Sequence, residues 1–370
     1  MIVGIDINIL NRGGGIANYI AQLLDNFRDL EPEYMYKLYF NSFRKIHMPI
    51  DDHFFHVTSS RLPDRLLQFS WTYLRFPPLE WFIGDVDVFH SPAHSPKYAL
   101  SPPAKRWVVT VHDLFTFKLD YSRESREKEM VALRVIERYA SKVICVSNST
   151  RNDLLEIIPS LHSKAVVIPE GVDEIFFSDK LSIDIGCKYK VQKPYILYVG
   201  AADPHKNLQR LIKVFSRLAK KIPHNLVLAG KITDKHKPLR DLTLELKIPD
   251  RVIFTDSIDD DALPSLYKGA DLFVLPSLYE GFGLVLLEAM ASGTPVVSSN
   301  ISSIPEVVGN AAQLFNPVDE DDMYDILYST ITDINLRAAM KANGIDRARL
   351  FSWRKMAQET LQIYKEVVTS

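Results

Sequence analysis

The chain alternates short apolar runs with longer amphipathic ones over most of its 370 residues. Short apolar runs bounded by turn residues predict buried strands, and longer runs with a helical period predict helices. The predicted strands are Ile2–Ile5, Val86–Phe89, Trp107–Val111, Val143–Val146, Val166–Ile168, Tyr195–Val199, Leu226–Leu228, Val252–Phe254, Leu272–Leu275 and Pro295–Val297. The predicted helices are Ile16–Leu30, Arg123–Ala140, Asn207–Lys221 and Asp322–Arg349. Strands that alternate with helices predict parallel sheets covered on both faces.

The two halves of the chain repeat this order. A strand, a glycine loop and a helix at residues 2–30 are matched by a strand, a polar loop and a helix at residues 195–221. We therefore predict an α/β architecture of two Rossmann-like, doubly wound domains, residues 1–172 and 173–350, with a polar linker at about residues 171–193. Ligands bind at the carboxyl ends of strands in such folds, so two facing domains would hold the site in the cleft between them.

The composition limits the classes of protein to which this chain can belong. The apolar fraction of 46% and the charged fraction of 24% are typical of a folded chain, and a net charge of −2 provides no overall attraction for nucleic acid. The two cysteines are too few for a disulfide framework, and Cys145 lies in an apolar run that predicts a core position. With no secretory signal and no apolar run near about 18 residues, we expect a cytoplasmic location.

The string from Pro276 to Val297 carries the strongest chemical signal. It predicts a strand end, a tight loop with Gly281 and Gly283, a short helix and another strand. The amide groups and positive dipole end of that helix suit a diphosphate. Glu280 lies in the loop, and Glu288 lies in the apolar helix, where a carboxylate needs a partner unless it faces solvent.

Glu280 and Glu288, with seven residues between them, match the E-x7-E motif of retaining glycosyltransferases with the GT-B fold. The surrounding string resembles glycosyltransferase family four, and the resemblance extends over nearly the whole chain. It implies that Glu280 and the backbone of the adjacent loop engage the donor sugar and that Glu288 binds the ribose hydroxyls. It also implies that residues 351–370 form a helix that returns to the first domain. The loop residues concerned are Phe282, Gly283 and Leu284.

Three glycines follow the first predicted strand, in the string from Asn11 to Tyr19. They lack G-x-G-x-x-G spacing, so a nicotinamide cofactor is not indicated, but glycines before a helix form an anion cradle or a plain surface loop. The resemblance implies that this loop closes over the donor phosphate. We expect Gly14 and Gly15 to supply backbone donors there, with Arg12 as a further candidate for charge.

Two other motifs follow predicted strands. His112 stands at the carboxyl end of Trp107–Val111, and the resemblance implies that it lies beside the donor sugar, with Asp113 orienting a neighbour. Lys206 stands between a strand and a helix, where it suits a leaving diphosphate. The family often carries an arginine where this chain has Ala201, so Lys206 has more of the charge to supply.

Asp85-Val86-Asp87 has the D-x-D spacing of metal-binding glycosyltransferases. We reject a metal role because the motif directly precedes a predicted buried strand and because the GT-B resemblance implies catalysis without a divalent ion. The nucleotide sugar is then a substrate, and no cofactor is expected.

The segment from Arg61 to Phe76 interleaves basic and aromatic residues in the predicted acceptor domain. It is typical either of a buried helix with solvated arginines or of an amphipathic helix on an anionic membrane. On the second interpretation, acceptor or membrane contacts involve Arg61, Arg65, Trp71 and Arg75.

These signals together predict a retaining hexosyltransferase that acts on a polysaccharide or lipid-linked saccharide acceptor. The string from Gly200 to Asn207 resembles bacterial surface-polysaccharide mannosyltransferases such as those of O-antigen synthesis, which favours GDP-mannose over a UDP-sugar. A nucleotide-sugar epimerase of the same fold and a non-catalytic sugar-nucleotide binder remain as alternatives.

Overall fold

The protein is described by a computed structural model over residues 1–10, 13–42, 54–74, 76–94, 106–178 and 183–370. It divides into a first unit, Met1–Glu170 with Trp353–Ser370, and a second unit, Gly171–Ser352. The sequence placed the boundaries after residues 172 and 350, whereas the structure divides after residues 170 and 352.

The described strands of the first unit are β1 (Ile2–Asp6), β2 (Met35–Asn41), β3 (Phe55–Ser60), β4 (Val88–Ser91), β5 (Trp107–Val111), β6 (Lys142–Cys145) and β7 (Ala165–Val167). They form one sheet in the order β3-β2-β1-β4-β5-β6-β7, and each neighbouring pair is parallel. The winding reverses between β1 and β4, so the carboxyl ends of these strands form a crevice of the kind that binds ligands in open α/β sheets.

Helices cover this sheet, and Cys145 is buried as the sequence predicted. Every residue of β5 is buried, which is typical of a central parallel strand covered on both faces. After the short α2, a π-helical turn continues from Ser70 to Leu74. The helices up to β7 are α1 (Gly15–Leu30), α2 (Asp64–Phe69), α3 (Glu80–Ile83), α4 (Phe115–Lys118), α5 (Arg123–Tyr139) and α6 (Asn148–Ile157).

The described strands of the second unit are β8 (Tyr195–Val199), β9 (Asn225–Ala229), β10 (Val252–Thr255), β11 (Leu272–Leu275), β12 (Val296–Ser299) and β13 (Ala312–Phe315). Their order is β10-β9-β8-β11-β12-β13, again parallel throughout. The winding reverses between β8 and β11. The loops that follow these two strands are therefore neighbours at one edge of the sheet.

Eight described helices accompany the second sheet, and α15 (Trp353–Thr369) follows as part of the first unit. Trp353 is buried at the start of α15, with its ring 6.3 Å from that of Tyr19 on α1. The helices of the second unit are α7 (Ile185–Tyr189), α8 (Leu208–Leu218), α9 (His236–Glu245), α10 (Leu263–Gly269), α11 (Leu284–Ala291), α12 (Ile304–Val308), α13 (Glu320–Thr332) and α14 (Ile334–Ala348).

Two predictions about the second half are wrong. The helix predicted over Asp322–Arg349 is two helices, because Asp333 leaves the helical conformation and its carboxylate caps α14 by accepting from the amides of Asn335 and Leu336. The predicted linker at residues 171–193 belongs to the second unit in its described parts, where Phe176 and Val191 are buried.

Candidate active site

The loop between β11 and α11 is held in a shape that only glycine allows at Gly283. This residue caps α11 with φ of 105°, and a Cβ there would lie 2.9 Å from Leu286 Cδ1. Ser303 Oγ donates to the carbonyl oxygens of Glu280 and Phe282, at 3.0 and 2.9 Å. The first turn of α11, beginning at Leu284, is thereby fixed with its amide groups and positive dipole end at this loop.

Lys206 and Glu280, which were predicted from separate motifs, form an ion pair in the second unit. Lys206 Nζ lies 2.7 Å from Glu280 Oε1, and the side chains are only 20% and 11% exposed. Ser277 Oγ donates to the same carboxylate oxygen at 2.6 Å. The pairing follows from the topology, because Lys206 follows β8, Glu280 follows β11, and these strands are neighbours.

Asn207 ties the two loops together. It adopts a left-handed conformation with φ of 59°. Its Nδ2 donates to the carbonyl oxygens of Pro276 and Pro317, at 3.0 and 2.8 Å. Leu278 N donates to the carbonyl oxygen of His205 at 2.7 Å. The position of Lys206 is therefore determined on one side by a backbone contact of His205 and on the other by the side-chain amide of Asn207.

Glu288 has the partner that its apolar helix requires. Tyr267 on α10 donates its hydroxyl to Glu288 Oε2 at 2.7 Å, and Thr294 Oγ1 donates to the carbonyl oxygen of Tyr267 at 2.7 Å. Burial raises the pKa of Glu288 to about 7 against the opposing effect of the Tyr267 bond, and Asp173 and Asp260 raise it further. The sequence analysis missed Tyr267, although the need for a partner was the signal that leads to it.

A pocket of about 500 Å³ lies at the carboxyl ends of β8, β9 and β10. The backbones of Gly200 and Gly230, which both line the pocket, lie so close together that a Cβ on Gly230 would be 2.2 Å from the carbonyl oxygen of Gly200. Lys235 Nζ donates to Asp203 Oδ1, and both residues line the pocket beside apolar groups such as Leu263. Leu263 lies one helical turn before Tyr267 on α10, so the pocket adjoins the partner of Glu288. The string from Gly200 to Asn207, which the sequence analysis singled out for its chemistry, supplies part of the pocket wall, whereas Lys235 had not been singled out.

His112 is buried at the carboxyl end of β5, with both ring nitrogens in contact with protein groups. Nδ1 lies 2.9 Å from Glu170 Oε1, and Nε2 lies 2.7 Å from the carbonyl oxygen of Pro92. Burial by itself lowers the pKa of His112, but the hydrogen bond and charge of Glu170, the Pro92 carbonyl and Asp113 together raise it above its ordinary value. The sequence analysis missed Glu170.

The glycine loop of the first unit leads into α1 as predicted. Gly14 has φ of 87° and caps α1, of which Gly15 is the first residue, while Arg12 lies outside the described residues. Tyr19 on α1 contacts His112 ring edge to ring face, with the ring centroids 4.9 Å apart. Gly14, Gly15 and His112 therefore belong to one edge of the first sheet.

The D-x-D string lies at the opposite edge of that sheet. Asp87 Oδ2 accepts from Ile2 N at 2.7 Å, and the carbonyl oxygen of Asp85 accepts from Lys37 Nζ at 2.9 Å. Both contacts stabilise the amino ends of strands. Within the described ranges, no group of three or more histidine, cysteine, aspartate or glutamate side chains could hold a metal ion.

The predicted surface role of Trp71 is wrong. Trp71 is only 4% exposed, belongs to the core of the first unit and donates from Nε1 to the carbonyl oxygen of Pro77 at 2.8 Å. Arg61 is exposed, whereas the side chain of Arg65 and the whole of Arg75 lie outside the described residues. Among the side chains of this region that the structure describes, the exposed large apolar ones are Leu62, Leu66, Phe69, Leu74, Phe76 and Trp81.

In the part of the chain that the structure describes, no helix combines the length and the apolar character needed to cross a bilayer.

Two family profiles match adjoining stretches of the chain. The profile described as Glycosyltransferase Family 4 matches residues 13–175, and the profile described as Glycosyl transferases group 1 matches residues 188–347. O-antigen chain mannosyltransferase B of Escherichia coli is 30% identical over 279 residues, which cover 74% of this chain and 73% of that relative.

Solved structures match the whole fold. Sucrose-phosphate synthase from Thermosynechococcus elongatus superposes with a TM-score of 0.81 at 21% identity, over 100% of this chain and 99% of that one. HepE of Anabaena in complex with UDP and glucose gives a TM-score of 0.75 at 18% identity, over 99% and 100% of the two chains. On these matches, the chain belongs to glycosyltransferase family four and has the GT-B fold.

Proposed function

We propose that this protein transfers mannose from GDP-mannose to a polysaccharide or lipid-linked saccharide, with retention at the anomeric carbon. The observation that carries the proposal is the junction of Lys206, Glu280 and the first turn of α11 at the carboxyl ends of β8 and β11. A cation and a helix N-terminus at one point suit the diphosphate of a nucleotide sugar. The relative named as a mannosyltransferase supports mannose as the transferred sugar.

Each remaining residue has a role in this proposal. Glu280 and the backbone at Phe282, Gly283 and Leu284 position the donor sugar, and Glu288 accepts from the ribose hydroxyls through the oxygen that Tyr267 does not occupy. In the first unit, Gly14 and Gly15 supply backbone donors to the phosphate, and His112 supplies positive charge. No divalent ion is required, because Lys206 and the helix end stabilise the leaving diphosphate.

The transfer breaks the bond between the anomeric carbon and the phosphate oxygen and forms a bond to the acceptor oxygen on the same face of the sugar. The leaving phosphate accepts the proton of the acceptor hydroxyl. We assign no side chain as covalent nucleophile, since Glu280 is already committed to Lys206 and Ser277.

The pocket at Asp203 and Lys235 supports guanine as the base. Guanine presents N1–H and its 2-amino group as donors beside the O6 acceptor, and a carboxylate beside an ammonium group is complementary to that edge. Uracil presents its single N–H between two carbonyl groups, which a carboxylate repels. A UDP-sugar is the second candidate, because the structural relative HepE contains UDP.

Thermal unfolding in chelator with a panel of nucleotides tests this proposal. A ligand at 100 times its Kd adds about 2.7 kcal/mol to the free energy of unfolding. We expect GDP and GDP-mannose to raise Tm in the wild type, Glu288→Ala to abolish the shift, and Asp203→Asn to reduce the preference for GDP over UDP. Glu245→Ala, on the exposed end of α9, should behave as wild type.

Selective stabilisation by UDP would contradict the guanine assignment and leave the enzyme class intact. Stabilisation that requires magnesium would contradict the metal-free mechanism. No shift with any nucleotide diphosphate at millimolar concentration would overturn the proposed function.

We further propose that the enzyme works at the inner face of the cytoplasmic membrane, with the exposed apolar residues of segment 62–81 in contact with the bilayer. Phe76 and Trp81 are 51% and 69% exposed, and their rings pack edge to face at 5.0 Å. Exposed aromatic groups, on a stretch of chain that begins shortly after the exposed Arg61, suit an anionic lipid interface. A lipid-linked acceptor would be presented there.

Replacing Phe76 and Trp81 by glutamate should weaken binding to vesicles that contain anionic phospholipid by at least about 10-fold, because the burial of one large apolar side chain contributes about 1.5–3 kcal/mol. Cosedimentation measures the loss. Leu244→Glu with Ile334→Glu, at 63% and 71% exposed positions of the second unit, is the matched control. Equal binding by both double variants would contradict this surface. Trp71 is unsuitable for the test, since its removal disrupts the core.

A further inference from the structure

Both ring nitrogens of His112 face oxygen atoms of the protein. The carbonyl oxygen of Pro92, 2.7 Å from Nε2, has no proton to give, so Nε2 donates to it. Nδ1, 2.9 Å from Glu170 Oε1, then has two possible states. It either donates a hydrogen bond to an ionised Glu170, which makes the ring an imidazolium, or accepts a hydrogen bond from the carboxyl group of a neutral Glu170.

We propose that Glu170 is a positioning residue that holds His112 as an imidazolium and thereby fixes a positive charge at the carboxyl edge of the first sheet. Glu170 follows β7 and is buried, and its carboxylate extends past the end of β6 to reach the residue that follows β5. A buried carboxylate that stays ionised is stabilised by a partner of opposite charge. The imidazolium is the cation that this carboxylate contacts at hydrogen-bond distance.

The surroundings of the ring favour the charged state. In the described part of the first unit, the titratable groups that face it are Glu170, Asp113, His90 and Tyr19. Glu170 and Asp113 are acids. The Tyr19 phenol lies with its ring against the imidazole. His90 is the only other base among them.

His90, on the neighbouring strand β4, is a buried histidine whose ring nitrogens contact hydroxyl groups. Its ring nitrogens lie 2.9 Å from Thr110 Oγ1 and 2.6 Å from the Tyr364 hydroxyl, and hydroxyl groups donate as well as accept. Burial, together with the neighbouring His112, lowers the pKa of His90 to about 3. On this proposal, two buried histidines on neighbouring strands differ in charge, because Glu170 offsets the effect of burial on the pKa of His112, whereas burial dominates at His90.

The catalytic consequence of a charged His112 rests on the proposed function. A doubly donating ring has no nitrogen with which to accept a proton, so His112 does not act as a general base. Its fixed charge favours the negative charge that develops on the leaving diphosphate. Glu170→Gln should therefore lower kcat by about 10-fold or more and change KM little.

Nitrogen-15 spectra of histidine-labelled protein test the charge state directly. In the wild type we expect His112 to show two protonated nitrogens at pH 7 and His90, as the internal control, to show one unprotonated nitrogen. In Glu170→Gln, His112 should lose a proton at neutral pH, and its titration midpoint should fall by at least about one pH unit. The wild-type spectrum tests the proposal even where the variant does not fold.

An unprotonated Nδ1 in wild-type His112 at pH 7 would overturn the proposal, since the proton would then be on Glu170. An imidazolium that survives in folded Glu170→Gln would also overturn it. If His112 shows the expected charge but no nucleotide sugar is turned over, the proposed function fails while the charge assignment stands.

Discussion

Replacing Lys206 by alanine is expected to lower kcat by about 10²–10³-fold, which is the cost of removing one preorganised charge from a developing oxyanion. The ammonium group is held 2.7 Å from Glu280 by loops that Asn207 ties together, so no solvent reorganisation is needed when the diphosphate leaves. The effect should be large because Ala201 stands where related enzymes often place an additional cation. Steady-state kinetics with saturating donor measure it.

Lys206→Ala could lose activity for a reason other than the missing charge at the diphosphate. The variant leaves the carboxylate of Glu280, which is only 11% exposed, without its cation and so destabilises the loop. A cycle of Lys206→Ala, Glu280→Gln and the double variant separates the two reasons. Thermal unfolding of the four proteins reports the coupling energy of the pair, and residues in contact typically couple by about 0.5–3 kcal/mol. Because Glu280 positions the donor sugar, Glu280→Gln lowers kcat by itself, and the effect of Lys206→Ala is therefore read as the drop in kcat between Glu280→Gln and the double variant. A drop similar to that between wild type and Lys206→Ala assigns the loss to the missing charge at the diphosphate.

Arg217→Ala is the matched control for this experiment. Arg217 forms an ion pair with Asp321 at 2.8 Å on the exposed face of the second unit, between α8 and α13. Its removal should leave kcat within about twofold of wild type, because exposed ion pairs contribute little. If Lys206→Ala keeps the kcat of the wild type, Lys206 does not stabilise the leaving diphosphate.

The sequence pattern predicted the central strands β5 and β11 and also the edge strands β7 and β10, but it missed β2, β3 and β13. β5 and β11 are continuous apolar runs, and a parallel strand covered on both faces requires such a run. The missed strands β2 and β3 lie to one side of the first sheet and mix exposed with buried residues, and β13 lies at the edge of the second sheet and is mostly half-buried. Their short polar interruptions carry no signal that distinguishes a strand from a loop.

The candidate site was predicted residue by residue but not as an arrangement. Glu280 and Lys206 were each located because a motif surrounds them, yet their ion pair depends on the adjacency of β8 and β11, which no local pattern specifies. Tyr267 and Glu170 were missed for the same reason, since each is 21 or more residues from the group that it contacts. Trp71 was misassigned because an aromatic residue at helical spacing suits a core as well as a membrane surface.

The affinity for GDP should depend on the protonation of Glu288, with tighter binding as pH rises through about 7, the value to which burial raises the pKa of this carboxyl. The ionised form accepts stronger hydrogen bonds from the ribose hydroxyls than the neutral form does, because hydrogen bonds to a charged acceptor are about twice as strong. Below pH 7, affinity should fall by up to about 10-fold for each pH unit. Calorimetry of GDP binding between pH 5.5 and 8.5 measures the profile, and Glu288→Gln should flatten it.

Tyr267→Phe provides the sharper test of that profile. The Tyr267 hydroxyl donates to Glu288 Oε2 and favours the ionised form, so its loss should raise the pKa of Glu288 and move the midpoint of GDP binding to higher pH. The stability of the ligand-free protein should show the linked effect with a definite sign. The pKa of Glu288 is about 7 in the folded chain and 4.5 in the unfolded chain, so the folded chain holds this proton more tightly. The contribution of Glu288 to the free energy of unfolding is therefore lost as pH rises from about 4.5 to 7. A GDP profile that is unchanged in Tyr267→Phe would place the titrating group elsewhere and remove Glu288 from the ribose site.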